Sequence, residues 1–216
     1  MTESVPATQP VRRGPGRPPD VNGADTRREI RRVARTLFAE HGYAGTTTRM
    51  ISLQVGVTPA ALHHYFGRKP NLVLDVWHST TDIEYSRLEG AMDEADNFID
   101  KLHALLGAAL ESLRSDPDST RFIFSIREDA RRTPELAEIV EDNRLAVLVR
   151  KLVDFGVETG VVDKNRSADA RGAIGAVLLG ITAMAADVSV QRIDQMAAGC
   201  RLLVEGALFR GAGPLN

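Results

Sequence analysis

Residues 46–69 read Thr46-Thr47-Thr48-Arg49-Met50-Ile51-Ser52-Leu53-Gln54-Val55-Gly56-Val57-Thr58-Pro59-Ala60-Ala61-Leu62-His63-His64-Tyr65-Phe66-Gly67-Arg68-Lys69. Two short helices joined by a tight corner fit this stretch. The Thr47 hydroxyl can accept from the free amides of a helix starting at Thr48, and Ile51 and Val55 then share a face. Gly56 supplies a backbone able to take positive φ, and Val57 can fill the corner. Thr58 is a second cap, and Pro59 occupies the first helical position, which suits proline. Leu62 and Phe66 form one face of the second helix. Ala60, Ala61, His63 and His64 are left for other faces. The unit is a helix-turn-helix, and its second helix can enter a DNA major groove.

The surroundings extend this reading. Thr26-x-x-Glu29 has the spacing of a capping box, which predicts a first helix from Thr26. Ile30, Val33, Ala34, Leu37 and Phe38 are its core stripe, and Gly42 is a left-handed stop. With FAEHGY ending this helix, then TTT, an isoleucine, GVTPAAL, HHYF and a lysine, the chain resembles the TetR family of bacterial transcriptional regulators. The likeness runs from Thr26 to Trp77, about a quarter of the chain. It implies an all-α fold, with a three-helix helix-turn-helix head on a six-helix body that binds a ligand and dimerises. It also implies that Thr47 or Thr48, Arg49 and Lys69 touch DNA phosphates.

The second helix departs from the family pattern. His63 stands where tyrosine is common, so His63, His64 and Tyr65 are the candidates for that phosphate contact. Thr58, Pro59, Ala60 and Ala61 offer no bidentate base-reading group. Specificity should therefore lean on thymine methyls, histidine edges and DNA shape. Free imidazole titrates near ~6.5 and phosphate favours its charged form, so DNA affinity should rise as pH falls. Adjacent helical residues point about 100° apart, so His63-His64 is no metal pair.

Charge is distributed unevenly. Up to Lys69 there are eleven Lys and Arg against five Asp and Glu, +6; the remainder holds sixteen against twenty-four, −8, for a total of −2. A basic front on an acidic body is what a phosphate-binding head requires. Residues 1–23, rich in Pro and Gly, are expected to be disordered in the free protein. Within them Arg13-Gly14-Pro15-Gly16-Arg17 resembles an AT-hook core, so Arg13 and Arg17 could enter a narrow minor groove, act as a loose electrostatic tether, or belong to an inert linker. The head is assigned to 24–68 and the body to 69–216.

The body reads as helix throughout: 71–93, 97–115, 119–132, 134–159, 167–187 and 190–210, separated by Asp, Pro, Gly and Asn clusters. Trp77, His103, Leu106, Phe122, Ile126, Asn143 and Val147 are candidate linings for an effector cavity, each with core packing as the competing role. Gly172 and Gly175, with Leu178 and Ile181, then Met196 and Leu203 on the last helix, are the candidate dimer interface, following the family's pairing of its last two long helices. Dimerisation would present two heads to a palindromic operator.

No apolar leader precedes the head, and the single Cys200 suits a reducing cytoplasm as a buried apolar filler. The chain lacks a phosphate-binding glycine loop, a zinc-spaced Cys/His set and a nucleophile elbow, so no enzyme, metal or cofactor is expected. The expected role is a homodimeric repressor released from its operator by an apolar small molecule. The alternative is a DNA-binding regulator or architectural protein governed by a protein partner.

Overall fold

The computed structural model describes residues 21–184, 190–204 and 206. Among them all regular structure is helical: α1 Val21–Gly45, α2 Thr48–Val55, α3 Pro59–Phe66, α4 Lys69–Asp93, α5 Phe98–Ser115, α6 Pro117–Ala130, α7 Ala137–Glu141, α8 Arg144–Glu158, α9 Ser167–Ala183 and α10 Val190–Val204, with 3-10 turns at Pro134–Leu136 and Lys164–Arg166. Arg13 and Arg17 lie outside the described residues, as do the ends predicted for the last two helices.

Two helix readings differ most from the structure, and others shift by about two residues, as where 119–132 is Pro117–Ala130. α1 begins at Val21, so Thr26 lies inside the helix and does not cap it. No proline lies between Pro19 and Thr26 to stop the helix running back, and Asp25 pairs with Arg28 at 3.2 Å across one turn. Glu29, the other half of the expected box, holds Arg32 at 2.6 Å instead. The predicted 134–159 helix is broken into a 3-10 turn, α7 and α8. Asp142 is the cause. Its carboxylate accepts the Arg144 amide at 3.0 Å and the Trp77 indole N–H at 2.9 Å, fixing a non-helical backbone at the break.

Other boundaries follow their local chemistry. Asp116 accepts the Ser119 amide at 3.1 Å and Pro117 opens α6. Asn97 accepts the Asp100 amide at 3.0 Å to start α5. Gly42, at φ 67° and ψ −179°, breaks α1 where its core stripe ends.

Two apolar cores organise the molecule. The first joins Ile30, Leu37 and Phe38 of α1 to Ile51, Leu62 and Phe66, and continues through Val76 and Trp77 to Phe122 and Ile126 of α6 and to Leu136 and Ile139. The second joins Leu88 and Met92 of α4 to α5, α8, α9 and Ile193. Packing therefore divides partway along α4, not at Lys69, and α6 is built into the core of the head. The Phe38 and Trp77 rings both lie against Phe122, at centroid separations of 6.3 and 6.4 Å.

Candidate nucleic-acid interface and effector cavity

Local chemistry shapes α2 and α3 as the sequence predicts. Thr47 Oγ1 accepts the Met50 amide at 3.2 Å, and Thr58 Oγ1 accepts the Ala61 amide at 3.1 Å. Gly56 takes φ 76°, ψ 30°, and the amides of Gly56 and Val57 both return to the Ser52 carbonyl at 3.0 Å. Ile51, Leu62 and Phe66 are buried beneath. That burial fixes which residues face out: Thr47, Arg49, Thr58, Pro59, Ala60, His63 and His64 are exposed, and Thr48, Ala61, Tyr65 and Lys69 are half-buried.

One concave surface brings together Thr47, Thr48, Pro59, His63, Arg68 and Lys69. The free amides at the start of α2 open onto it, which suits an anion. Ala61 and Tyr65 lie instead against a second hollow formed with Asp25, Thr26 and Glu29 of α1. Arg49 and Arg68 are exposed and carry no ion pair among the described residues. The sequence reading did not include Arg68, although its position beside Lys69 could have suggested it. The Lys69 ammonium sits 4.1 Å from the centre of the Tyr43 ring. Burial pushes its pKa below the usual lysine range, while Glu135 and Asp129 pull in the opposite direction.

The α1 arginines are mostly committed inside the chain. Arg27 and Arg31 both grip Asp75 of α4, at 2.8 and 2.5 Å, and Arg27 also lies over the Phe66 ring. Burial works against the Asp75 charge, but the hydrogen bonds from Arg31 and Arg27 hold its carboxyl below the usual range. Arg35 bonds Ser119 at 2.6 Å and Asp116 at 3.0 Å on α6. The basic balance of the head thus overstates what it offers to phosphate.

A cavity of about 350 Å³ lies between α4, α5, α6, α8 and α9. Its walls are chiefly apolar and include Tyr85, Leu88, Ala109, Ile123, Phe124, Leu145, Leu178 and Leu179. Thr120, Thr182, Glu84, Arg127, Glu128 and Arg131 add polar groups. The charges are matched within the chain: Glu84 takes the Ser112 hydroxyl, Arg127 donates to the Asp142 carbonyl at 3.0 Å, and Glu128 pairs with Arg131 at 3.2 Å. Burial pushes the Tyr85 phenol up to about 12, so it stays neutral.

None of the residues predicted to line an effector cavity lines this one. Trp77, Phe122 and Ile126 are fully buried in the core that joins head and body. Asn143 and Val147 are exposed at the start of α8. Leu106 lines a smaller hollow of about 170 Å³ with Cys200, between α5, α9 and α10. His103 Nε2 is buried with no partner among the described residues. Apolar stripes mark what is inside, and these stripes fill the core. The usable signal lay beside the stripe: Ile123 and Phe124 are large apolar residues off the face that Phe122, Ile126 and Ala130 share.

The predicted dimer residues also divide. Leu178 and Ile181 are buried within the chain, each 2% exposed. Met196 packs against the same core. Gly172 and Leu203 are exposed and Gly175 is half-buried. Among the described residues no cluster of three His, Cys, Asp or Glu could hold a metal, and no helix is long and apolar enough to cross a membrane.

Residues 30–76 match the family of bacterial regulatory proteins, tetR family. The chain is 31% identical over 90 residues to the HTH-type transcriptional repressor KstR2 of Mycolicibacterium smegmatis, covering 42% of this chain and 44% of the relative. It is 46% identical over 50 residues to the HTH-type transcriptional repressor AcnR of Corynebacterium glutamicum, covering 23% and 27%. The matched stretches span less than half the length of these relatives. The fold is similar to that of KstR2 of Mycobacterium tuberculosis, with TM-score 0.62, 20% identity and 87% of this chain and 95% of that chain covered. It is likewise similar to AibR, solved in complex with isovaleryl coenzyme A and operator DNA, with TM-score 0.68, 18% identity and 82% and 97% covered. The segment 30–76 is thus similar to the tetR family of bacterial regulatory proteins, and the fold of the described residues is similar to that of solved transcriptional regulators.

Proposed function

We propose that the protein is a sequence-specific DNA-binding transcriptional repressor, a cytoplasmic homodimer that leaves a palindromic operator when an apolar small molecule fills the 350 Å³ cavity. The observation carrying the DNA-binding part is the surface shared by Thr47, Thr48, Pro59, His63, Arg68 and Lys69. There a helix amino end, two cations and the outward side of α3 converge, with no carboxylate among the residues that line the surface. Thr48, Arg49 and Lys69 would hold phosphates; Pro59, Ala60, His63 and His64 would meet base edges. The similar proteins KstR2 and AcnR are HTH-type transcriptional repressors, which agrees with this role.

α6 favours a small effector over a protein partner. One side of α6, Phe122, Ile126 and Ala130, belongs to the core of the head. The other side, Thr120, Ile123, Phe124, Arg127 and Arg131, lines the cavity. Body carboxylates grip the head along the same seam: Asp118 takes Thr36, Asp129 the Tyr43 amide, and Glu135 the Tyr43 hydroxyl. A ligand that repositions α6 must reposition α1, and a ligand preferring one position over the other shifts the population between them. AibR, solved with both a coenzyme A thioester and operator DNA, provides a precedent for one protein with two such ligands.

The test is selection of duplexes from sheared genomic DNA, followed by affinity titration at several salt concentrations. Arg49→Ala and Lys69→Ala should each weaken binding on every sequence and reduce the salt slope by about one. A thermal-shift screen of apolar compounds should raise the melting temperature for the effector class. If no duplex is enriched, the repressor reading falls.

A further inference from the structure

Lys69 stands where a cation is not favoured. It is the first residue of α4, at the positive end of the helix dipole, and burial also works against its charge. Its stem is flexible, so the side chain alone does not aim the ammonium at a phosphate. An aromatic face supplies the aim. The ammonium lies 4.1 Å from the centre of the Tyr43 ring, within the range where a cation is drawn to a ring face. The ring itself is fixed. Tyr43 is 9% exposed, and its ring lies nearly parallel to that of Phe38, 6.4 Å away at 18°. The Tyr43 amide donates to Asp129 Oδ2 at 2.6 Å, and its hydroxyl donates to Glu135. Asp129 lies at the end of α6 and Glu135 in the 3-10 turn Pro134–Leu136, so the body holds the residue by both its backbone and its ring. The same two carboxylates attract the Lys69 ammonium.

Lys69 also lines the concave surface, with Thr47, Thr48, His63 and Arg68. One residue thus borders the proposed phosphate surface while its charge rests on a clamped ring. We infer that Tyr43 is a positioning residue for DNA binding: its ring face holds the Lys69 ammonium at that surface, and the ammonium stays on the ring while it binds phosphate. This rests on the DNA-binding reading proposed above. Tyr43 needs no contact with DNA to act in this way. Ordering the lysine in advance removes part of the cost of immobilising it on binding. The seat of the ring is built from α6 and the turn after it, so a phosphate contact of the head depends on two carboxylates of the body.

The experiment uses the full chain and a fluorescein-labelled duplex of mixed sequence, because non-specific binding is almost wholly a matter of phosphate charge. Tyr43→Leu keeps apolar bulk and the amide bond to Asp129 but removes the aromatic face. It should weaken binding about threefold where Lys69 is present and leave the affinity of Lys69→Ala unchanged, a double-mutant cycle that isolates the pair. Tyr43→Phe keeps the ring and should bind as the wild type does. Equal weakening in both backgrounds would make Tyr43 a packing residue only and overturn the inference, as would a Tyr43→Phe as weak as Tyr43→Leu. A second measurement needs no variant of Tyr43. The ε-methylene protons of Lys69, identified by their loss in Lys69→Ala, should be shifted upfield by the ring in the nuclear magnetic resonance spectrum and stay so when the duplex is added. A return to the ordinary position on binding would mean that the lysine leaves the ring to reach phosphate, and would also overturn it. Each of these results leaves DNA binding itself intact, whereas a wild type that ignores the duplex at low salt sinks the DNA-binding reading and this inference with it.

Discussion

Gly42→Ala tests how the head is attached to the body. Gly42 sits at φ 67°, ψ −179°, a region open essentially to glycine alone, and an alanine there costs about 1–3 kcal/mol. The new Cβ would lie 2.9 Å from Asp129 Oδ2. That oxygen accepts the Tyr43 amide at 2.6 Å, so moving it away breaks a charge-assisted bond worth about 1–2 kcal/mol. Restricting the unfolded chain returns about 0.4–1 kcal/mol. The net loss is about 1–5 kcal/mol, centred near 3, which at that centre is a fall of roughly 6–12 °C in melting temperature for a chain of this size. Thermal unfolding by circular dichroism reads it directly. Asp129→Ala separates the two causes. With the carboxylate gone, adding Gly42→Ala should cost only the backbone strain, so a double-mutant cycle should show about 1–2 kcal/mol of coupling. A melting temperature within 1 °C of wild type, or two strictly additive losses, would refute the reasoning.

Asp142 predicts acid sensitivity. Burial opposes its charge, but hydrogen bonds from Arg144 and Trp77 hold its carboxyl down at about 2. A depressed folded-state pKa gives stability that is fully present above the unfolded carboxylate value and lost as pH falls toward 2. Asp142→Asn should therefore lower wild-type stability at pH 7 by about 1–2 kcal/mol and flatten the acid limb between about pH 5 and 2; urea titrations at stepped pH values check both. His63 and His64 are exposed on the outward side of α3, so replacing both with alanine should weaken operator binding in anisotropy titrations, and a double variant with wild-type affinity would remove the histidines from the interface.

What could be seen in the sequence was what chain neighbours determine. Thr47, Gly56, Thr58 and Pro59 shape the backbone within a few residues of themselves, so the helix-turn-helix was legible nearly to the residue. Helix starts were less secure where two local signals competed. Thr26-x-x-Glu29 has the right spacing for a cap, but Glu29 finds Arg32 closer at hand and the helix runs through. The break at Asp142 was hidden for the opposite reason. One of the two donors that fix Asp142 is Trp77, sixty-five residues away, and no periodicity within 134–159 records that partner.

The same distinction explains the cavity and the charges. A periodic apolar stripe says that a helix face is covered, and Phe122 and Ile126 are covered by the head. It does not say which residues border unfilled space, because that depends on how five helices meet. Counting charges likewise measures supply and not demand. Arg27, Arg31 and Arg35 add to the basic front in the sequence, yet Asp75, Asp116 and Ser119 hold them in the structure. Those bonds tie α1 to α4 and α6, the same helices that border the cavity. The α1 arginines are therefore held between head and body, and on the function proposed above the contact with phosphate would fall to the exposed Arg49 and Arg68 and the half-buried Lys69.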